Sequence, residues 1–247
     1  MHLQKLVTGF CLTIFFFISC NKDGGDSASS ETGTGGSLAR FTISGNYLYL
    51  ADYSSLRVFD ISNPSATVEK PQVPVGLGVE TIFPYKDKLF IGSVQGMYIY
   101  SLANPAAPVM LGSALHIRSC DPVVANDTIS YSTLQGSSAC GPAESGLYIY
   151  DIKTITAPVL KKLLPLSTPF GLGLADSVVF ICRGANGLSA VNVKNPANPA
   201  VMYTMNDGYY MDVIPYNNLL ICYVKTGIII YDATDLRNLT RIGTIDY

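Results

Sequence analysis

One six-residue pattern recurs five times along the chain, and its spacing restricts the fold more than any other feature. Leu56-Arg57-Val58-Phe59-Asp60-Ile61 returns as Met97-Tyr98-Ile99-Tyr100-Ser101-Leu102 and as Leu147-Tyr148-Ile149-Tyr150-Asp151-Ile152. It returns again as Leu188-Ser189-Ala190-Val191-Asn192-Val193 and as Ile228-Ile229-Ile230-Tyr231-Asp232-Ala233. The intervals between the third residues are 41, 50, 41 and 40. One interval carries an insertion of about nine residues; the others hold their period within one residue. A unit of about forty residues cannot bury an apolar face alone, so it must stack on its neighbours.

Each repeat divides into four short strands. In the first, residues 38–44 and 47–51 flank the turn Gly45-Asn46, residues 56–61 form the third strand, and a fourth lies near 68–75. Between the last two stands Ser62-Asn63-Pro64, echoed by Ala103-Asn104-Pro105 and Lys194-Asn195-Pro196. Proline fixes its own φ and drives its predecessor out of the helical region, so Asn-Pro starts a turn. No stretch of the repeats keeps a 3.6-residue period, and the 22 Gly, 14 Pro and 16 Tyr fit short strands joined by turns. The expected fold is all-β: a five-bladed β-propeller of four-stranded blades at about 38–76, 77–117, 118–166, 167–206 and 207–247. No terminal strand is exchanged, so closure is expected to rest on apolar packing between blades. The absence of Trp excludes the usual WD40 pattern.

Residues 1–19 read as an export signal: Lys5, then a run of about thirteen apolar-dominated residues, then Ser19 before Cys20. That run is too short for a membrane span. The small residue ahead of Cys20 marks a lipoprotein signal, with Cys20 as the lipidation site. Residues 20–37 are small and polar and read as a disordered tether. The formal net charge of −2 excludes a nucleic-acid surface, which needs clustered cations.

The unit φ-x-φ-φ-D-φ-S-N-P, best seen at Leu56-Arg57-Val58-Phe59-Asp60-Ile61-Ser62-Asn63-Pro64, resembles the LVIVD-repeat β-propeller lipoproteins of Bacteroidota type. The resemblance implies a propeller held at the cell envelope, as an outer-membrane lipoprotein facing periplasm or surface. It implies little about activity.

In such a blade the loops joining strands two and three share one face, here called upper, with the connections between blades. The insertion within residues 135–146 therefore elaborates the upper face. So do the residues that enter each blade: Arg40, Glu80, His116, Arg118, Asp121, Tyr209, Tyr210 and Asp212 are the candidate ligand-binding set. In register, Arg40, Thr81, Leu172 and Asp212 are read as equivalent, and Glu80 as equivalent to Asp121 and Met211. The leading function is a non-enzymatic binding module for a protein or glycan of the envelope, with the membrane engaged through the lipid alone. The alternative is an exported polysaccharide-acting hydrolase using Glu80 with Asp121 or Asp212, because glycoside hydrolysis needs two carboxylates about 5–10 Å apart.

No catalytic, cofactor or metal motif is present; His2 and His116 are the two histidines, and there is no CxxC or HExxH. Cys182 and Cys222 are read as one buried slot in the second strands of blades four and five, the slot of Leu50 and Ile91. Cys120 and Cys140 both fall on the upper face and are expected to form a disulfide in an oxidising compartment.

If Cys20 carries the lipid, Cys20→Ala releases the chain from membrane fractions without lowering its melting temperature, because the tether separates anchor from fold. A chain still pelleting with membranes contradicts the assignment.

Overall fold

The structure, a computed structural model, describes residues 35–116, 122–136 and 141–247. Cys20, Arg118, Cys120, Asp121 and Cys140 lie outside these residues. All the regular structure is β, in five antiparallel meanders. Blade 1 holds β1 (Phe41–Ser44), β2 (Tyr47–Ala51) and β3 (Ser55–Asp60). Its outer strand is broken into β4 (Val68–Glu69) and β5 (Val73–Pro74), both paired with β3, and Pro71 falls in the break. Blade 2 holds β6 (Val79–Tyr85), β7 (Lys88–Ser93), β8 (Gly96–Ser101) and β9 (Val109–Leu115). Blade 3 holds β10 (Val123–Ala125), β11 (Ile129–Leu134), β12 (Gly146–Asp151) and β13 (Val159–Pro165). Blade 4 holds β14 (Leu172–Ala175), β15 (Val178–Cys182), β16 (Leu188–Asn192) and β17 (Ala200–Met205). Blade 5 holds β18 (Tyr210–Tyr216), β19 (Leu219–Val224), β20 (Gly227–Asp232) and β21 (Thr240–Asp246). The chain thus enters on the first strand of one blade and ends on the fourth strand of another, as the repeat implies.

The repeated motif is explained by two hydrogen bonds at the lower face. The side chain that ends each third strand accepts the amide two residues on: Asp60 from Ser62 at 3.1 Å, Asp151 from Lys153 at 3.0 Å, Asn192 from Lys194 at 2.9 Å and Asp232 from Thr234 at 2.8 Å. Ser101 does the same through its hydroxyl at 3.1 Å. The apolar residue in between turns its own amide to the blade's first hairpin: Ile61 to Asn46, Leu102 to Asp87, Ile152 to Thr128, Val193 to Ser177 and Ala233 to Asn218, each at 2.8–2.9 Å. One short polar side chain therefore starts the turn, and the next residue ties the two lower turns together.

The blades are apolar on both faces, and four interfaces bury them. Tyr49, Leu56 and Val58 of blade 1 meet Ile82, Leu89 and Ile91 of blade 2. Phe90, Met97 and Ile99 meet Val123, Tyr150 and Ile152. Tyr131, Leu147 and Ile149 meet Leu172, Ile181 and Val191. Phe180, Leu188 and Ala190 meet Val213, Leu220 and Cys222. Strand alternation makes this work, since odd residues face one neighbour and even residues the other.

The junction between blades 5 and 1 is built differently. Among the described residues, no buried apolar cluster joins them. Ile221, Tyr223, Ile228 and Ile230 hold the positions that Phe180, Cys182, Leu188 and Ala190 hold in blade 4, by their pairing within each sheet. The blade 4 set is fully buried, whereas Tyr223 is 45% exposed and Ile221, Ile228 and Ile230 are only partly buried. Phe41 on blade 1 is 62% exposed. Closure by apolar packing is thus overturned at this junction. The N-terminal end crosses to blade 5 by hydrogen bonds instead. The Ser37 hydroxyl donates to Asp212 Oδ1 at 3.1 Å and accepts the Leu172 amide at 2.7 Å, and the Leu38 amide donates to Asp212 Oδ2 at 3.3 Å. Residues 35–37, expected in the tether, are therefore docked, and Ser37 is buried. A turn from Gly36 to Ala39 follows, so the first strand begins at Phe41 rather than 38.

The second register correction concerns blade 4. Five residues separate the paired Cys182 and Leu188, against four between the equivalent pair Tyr223 and Ile228, so the spacing of the third strands misplaces the second strand by one. Ile181 pairs with Leu172 as Cys222 pairs with Val213, so Ile181 holds the slot of Leu50, Ile91 and Cys222. Cys182 points the other way and joins Cys222 in one interface. A one-residue slip exchanges the faces of a strand. By the same slip it is Gly171, not Leu172, that corresponds to Asp212.

Phe180→Ala, which empties the centre of the interface between blades 4 and 5, is expected to cost about 3–5 kcal/mol. Urea unfolding measures this; a loss below about 1 kcal/mol is incompatible with a packed interface.

Candidate ligand-binding cleft

The upper face between blades 1 and 2 opens into a cleft of about 870 Å3. Three of the candidate residues meet there, Arg40, Glu80 and His116, joined by Tyr53, Gln95 and Tyr98. Arg40 precedes β1, and its guanidinium donates to the Val79 carbonyl at 3.2 Å. Glu80 stands at a β-bulge: Val79 pairs with Ser93 and Thr81 with Gly92, leaving Glu80 without an opposite residue. A bulge re-aims the side chain it releases. Met211 occupies the matching bulge in blade 5, between Tyr210 and Asp212.

The loops around the cleft are fixed by close backbone packing. The Val79 amide donates to the Tyr53 carbonyl at 3.0 Å and the Val94 amide to the Gly78 carbonyl at 2.9 Å. The His116 amide donates to the Gln95 carbonyl at 3.1 Å. Two glycines are required here. Gly78 has φ +67°, and a Cβ on it would lie 2.4 Å from the Val94 side chain. A Cβ on Gly76 would lie 2.1 Å from the Tyr98 hydroxyl. Both make room for the cleft wall. Tyr53 is the exposed rim of this wall, and Tyr98 its half-buried side.

A second hollow of about 160 Å3 lies at the upper mouth of the channel, where Arg40 and Glu80 meet Leu38, Pro122, Gln135 and Phe170. Arg40 and Glu80 thus form the ridge between cleft and channel.

The remaining candidates do other work. Asp212 is the dock for residues 37–38 described above, and it also accepts the Val213 amide at 2.9 Å. Burial raises its pKa, and the Ser37 hydroxyl and surrounding amides oppose that rise. Tyr210 is 0% exposed and is corrected from ligand residue to core residue. Its hydroxyl donates to Asp207 Oδ1 at 2.5 Å and stands 2.6 Å from the Tyr231 hydroxyl, which donates to Asp207 Oδ2 at 3.0 Å. Burial, then these bonds, drive the Tyr210 phenol far above its usual range. For Asp207, burial pushes upward but the two tyrosine hydroxyls prevail and hold the carboxyl below its usual range. Tyr209 is exposed on the upper face beside Gly184, away from the cleft. Among the described residues, Glu80 is the one carboxylate lining the cleft. The pair of Glu80 with Asp212 is not available to substrate, because Asp212 is spent on the N-terminal segment.

The comparisons bear on the fold. Residues 35–74 match the LVIVD repeat family. No curated protein matches the sequence. The computationally designed protein Ika8 superposes with a TM-score of 0.59 at 14% identity, over 81% of this chain and 59% of that one. A Lactobacillus plantarum protein gives 0.63 at 11% identity, over 81% and 68%. The periplasmic gluconolactonase PpgL of Pseudomonas aeruginosa gives 0.63 at 12% identity, over 82% and 68%. The chain spans 59% of the length of the designed protein and no more than about seven tenths of the other two. These likenesses show a β-propeller fold.

Because the Asp212 pKa is raised by folding, its contribution to stability is full below the ordinary carboxylate value of about 3.9 and is lost as pH rises through its own higher value. Asp212→Asn should abolish that loss, so that unfolding midpoints of the variant fall less than those of the parent as pH rises from about 3.9. Parallel stability curves for the two proteins contradict the assignment.

Proposed function

We propose that this chain is a non-enzymatic, LVIVD-type propeller held at the cell envelope by a lipid on Cys20, and that it binds its ligand in the cleft between blades 1 and 2. The observation that carries the reading is the cleft itself. It gathers a guanidinium, a carboxylate, a carboxamide and an imidazole between two tyrosine rings, in a volume of about 870 Å3. Ligand sites commonly combine such volume with aromatic walls and a few polar groups. The mixture suits a glycan or a short stretch of peptide, which offers apolar patches to the rings and hydroxyls or amides to the rest.

The course of the N-terminal segment supports the orientation this requires. Gly35 lies in the lower half of the channel with Phe83, Leu174 and Ile214, and Leu38 lies at its upper mouth. An anchor that reaches Gly35 from the lower side would leave the cleft opening away from the membrane.

The exported chain carrying Cys20→Ala is the form to screen against glycan arrays and envelope extracts, with affinities then measured by calorimetry. Arg40→Ala and Tyr98→Ala should each weaken binding of the selected ligand about tenfold or more, equivalent to about 1.4 kcal/mol, with an unchanged circular dichroism spectrum. A ligand held equally well by both variants rules out this cleft.

A further inference from the structure

The two faces left open at the junction of blades 5 and 1 are the same two faces that bind each other everywhere else in the molecule. On blade 5, Ile221, Tyr223, Ile228 and Ile230 occupy the register of the set that blade 4 buries against blade 5, and Ile245 pairs with Ile228 as Met205 pairs with Leu188. On blade 1, Phe41, Leu48, Leu50 and Phe59 occupy the register of Ile82, Leu89, Ile91 and Tyr100, which blade 2 buries against blade 1. Inside the chain these sets are buried; here Ile245 is 56% exposed and Phe41 62%.

Terminal repeats that face water carry polar outer faces, because no neighbour covers them. Blade 1 also carries the Arg57–Glu69 ion pair on this side, with the guanidinium over the Phe59 ring, but these two terminal faces are mainly apolar. We propose that they dock on each other between two copies of this chain, blade 5 of one against blade 1 of the next.

Three observations favour a second copy. The contact continues an interface already made four times within the molecule, with the same face on each side and the same strand register. The area is sufficient. A blade of four strands about 4.8 Å apart, each of about six residues at 3.3 Å, presents roughly 400 Å2 in projection and about twice that in accessible surface. That approaches the roughly 800 Å2 per partner of a standard stable interface. Finally, among the described residues the two faces share no buried apolar cluster within one chain: residues 37–38 span from blade 1 to Asp212 instead. The contact is heterologous, so copies add head to tail.

That asymmetry supplies the test, using the exported full chain with Cys20→Ala in analytical ultracentrifugation. The chain should show at least twice the mass of one copy, rising with concentration. Phe41→Asp and Ile245→Asp alter surface positions and should each sediment as one copy with an unchanged melting temperature. Mixed in equal amounts, they should form a complex of two copies and no more, because each variant keeps the face the other has lost. A parent chain that stays at the mass of one copy overturns the proposal, as does a mixture of variants that fails to associate. Variants that assemble like the parent overturn it too.

Discussion

Everything in this molecule depends on one sheet face packing against the opposite face of the next sheet. A four-stranded antiparallel blade buries nothing by itself, and hydrophobic stabilisation scales with apolar area removed from water. The chain therefore makes both faces of every blade apolar, and the central strands alternate between serving one neighbour and the other. Val178, Phe180 and Cys182 look toward blade 5, while Val179 and Ile181 look toward blade 3. Stability is consequently distributed over interfaces and not gathered into one centre. The Asp and Asn side chains at the lower turns hold strands three and four in register with the first hairpin, so that faces meet in the same way at each interface.

The upper face is freed by this arrangement. Turns on the lower face repeat the same hydrogen bonds five times. The upper connections share one bond in four blades, from the amide after strand four to the carbonyl before strand three (Val75 to Ser54, His116 to Gln95, Leu166 to Ser145, Tyr247 to Thr226), and otherwise vary in length and sequence from blade to blade. The cleft is built from that variation: a bulge that turns Glu80 out, two glycines that let Tyr98 and the β7–β8 turn approach, and an exposed Tyr53 in the loop after β2. Loops held on a rigid scaffold are where binding residues accumulate in general.

The sequence carried the scaffold plainly and the site in part. Blade number, strand order and the lower turns follow from period and alternation, which depend on residue type alone. Arg40, Glu80 and His116 were legible because charged residues stood where strands enter blades. Tyr53, Gln95 and Tyr98 were not, because tyrosines alternate through every blade and nothing local marks the ones beside a gap. The slip in blade 4 had a local cause, one extra residue in the loop before Leu188. Ser37 and its neighbours read as tether because they are small and polar. Their order comes from Asp212, about 175 residues away, and no local pattern reports a partner at that distance.

The register position of Asp212 shows how a repeat protein acquires an individual site. Pairing puts Arg40, Thr81 and Gly171 at the same level of the channel as Asp212. Blade 1 uses the position to reach the Val79 carbonyl, and blade 5 uses it to seize Ser37 and Leu38. Blade 4 leaves it bare, and it must, since a Cβ on Gly171 would stand 2.3 Å from Asp212 Oδ1. A buried carboxylate is costly unless its oxygens are bonded. Here the donors come from a segment outside the repeats, so the carboxylate and the segment each require the other. The repeats fix where the position lies; the residue that fills it decides whether the channel there is open, bridged or filled.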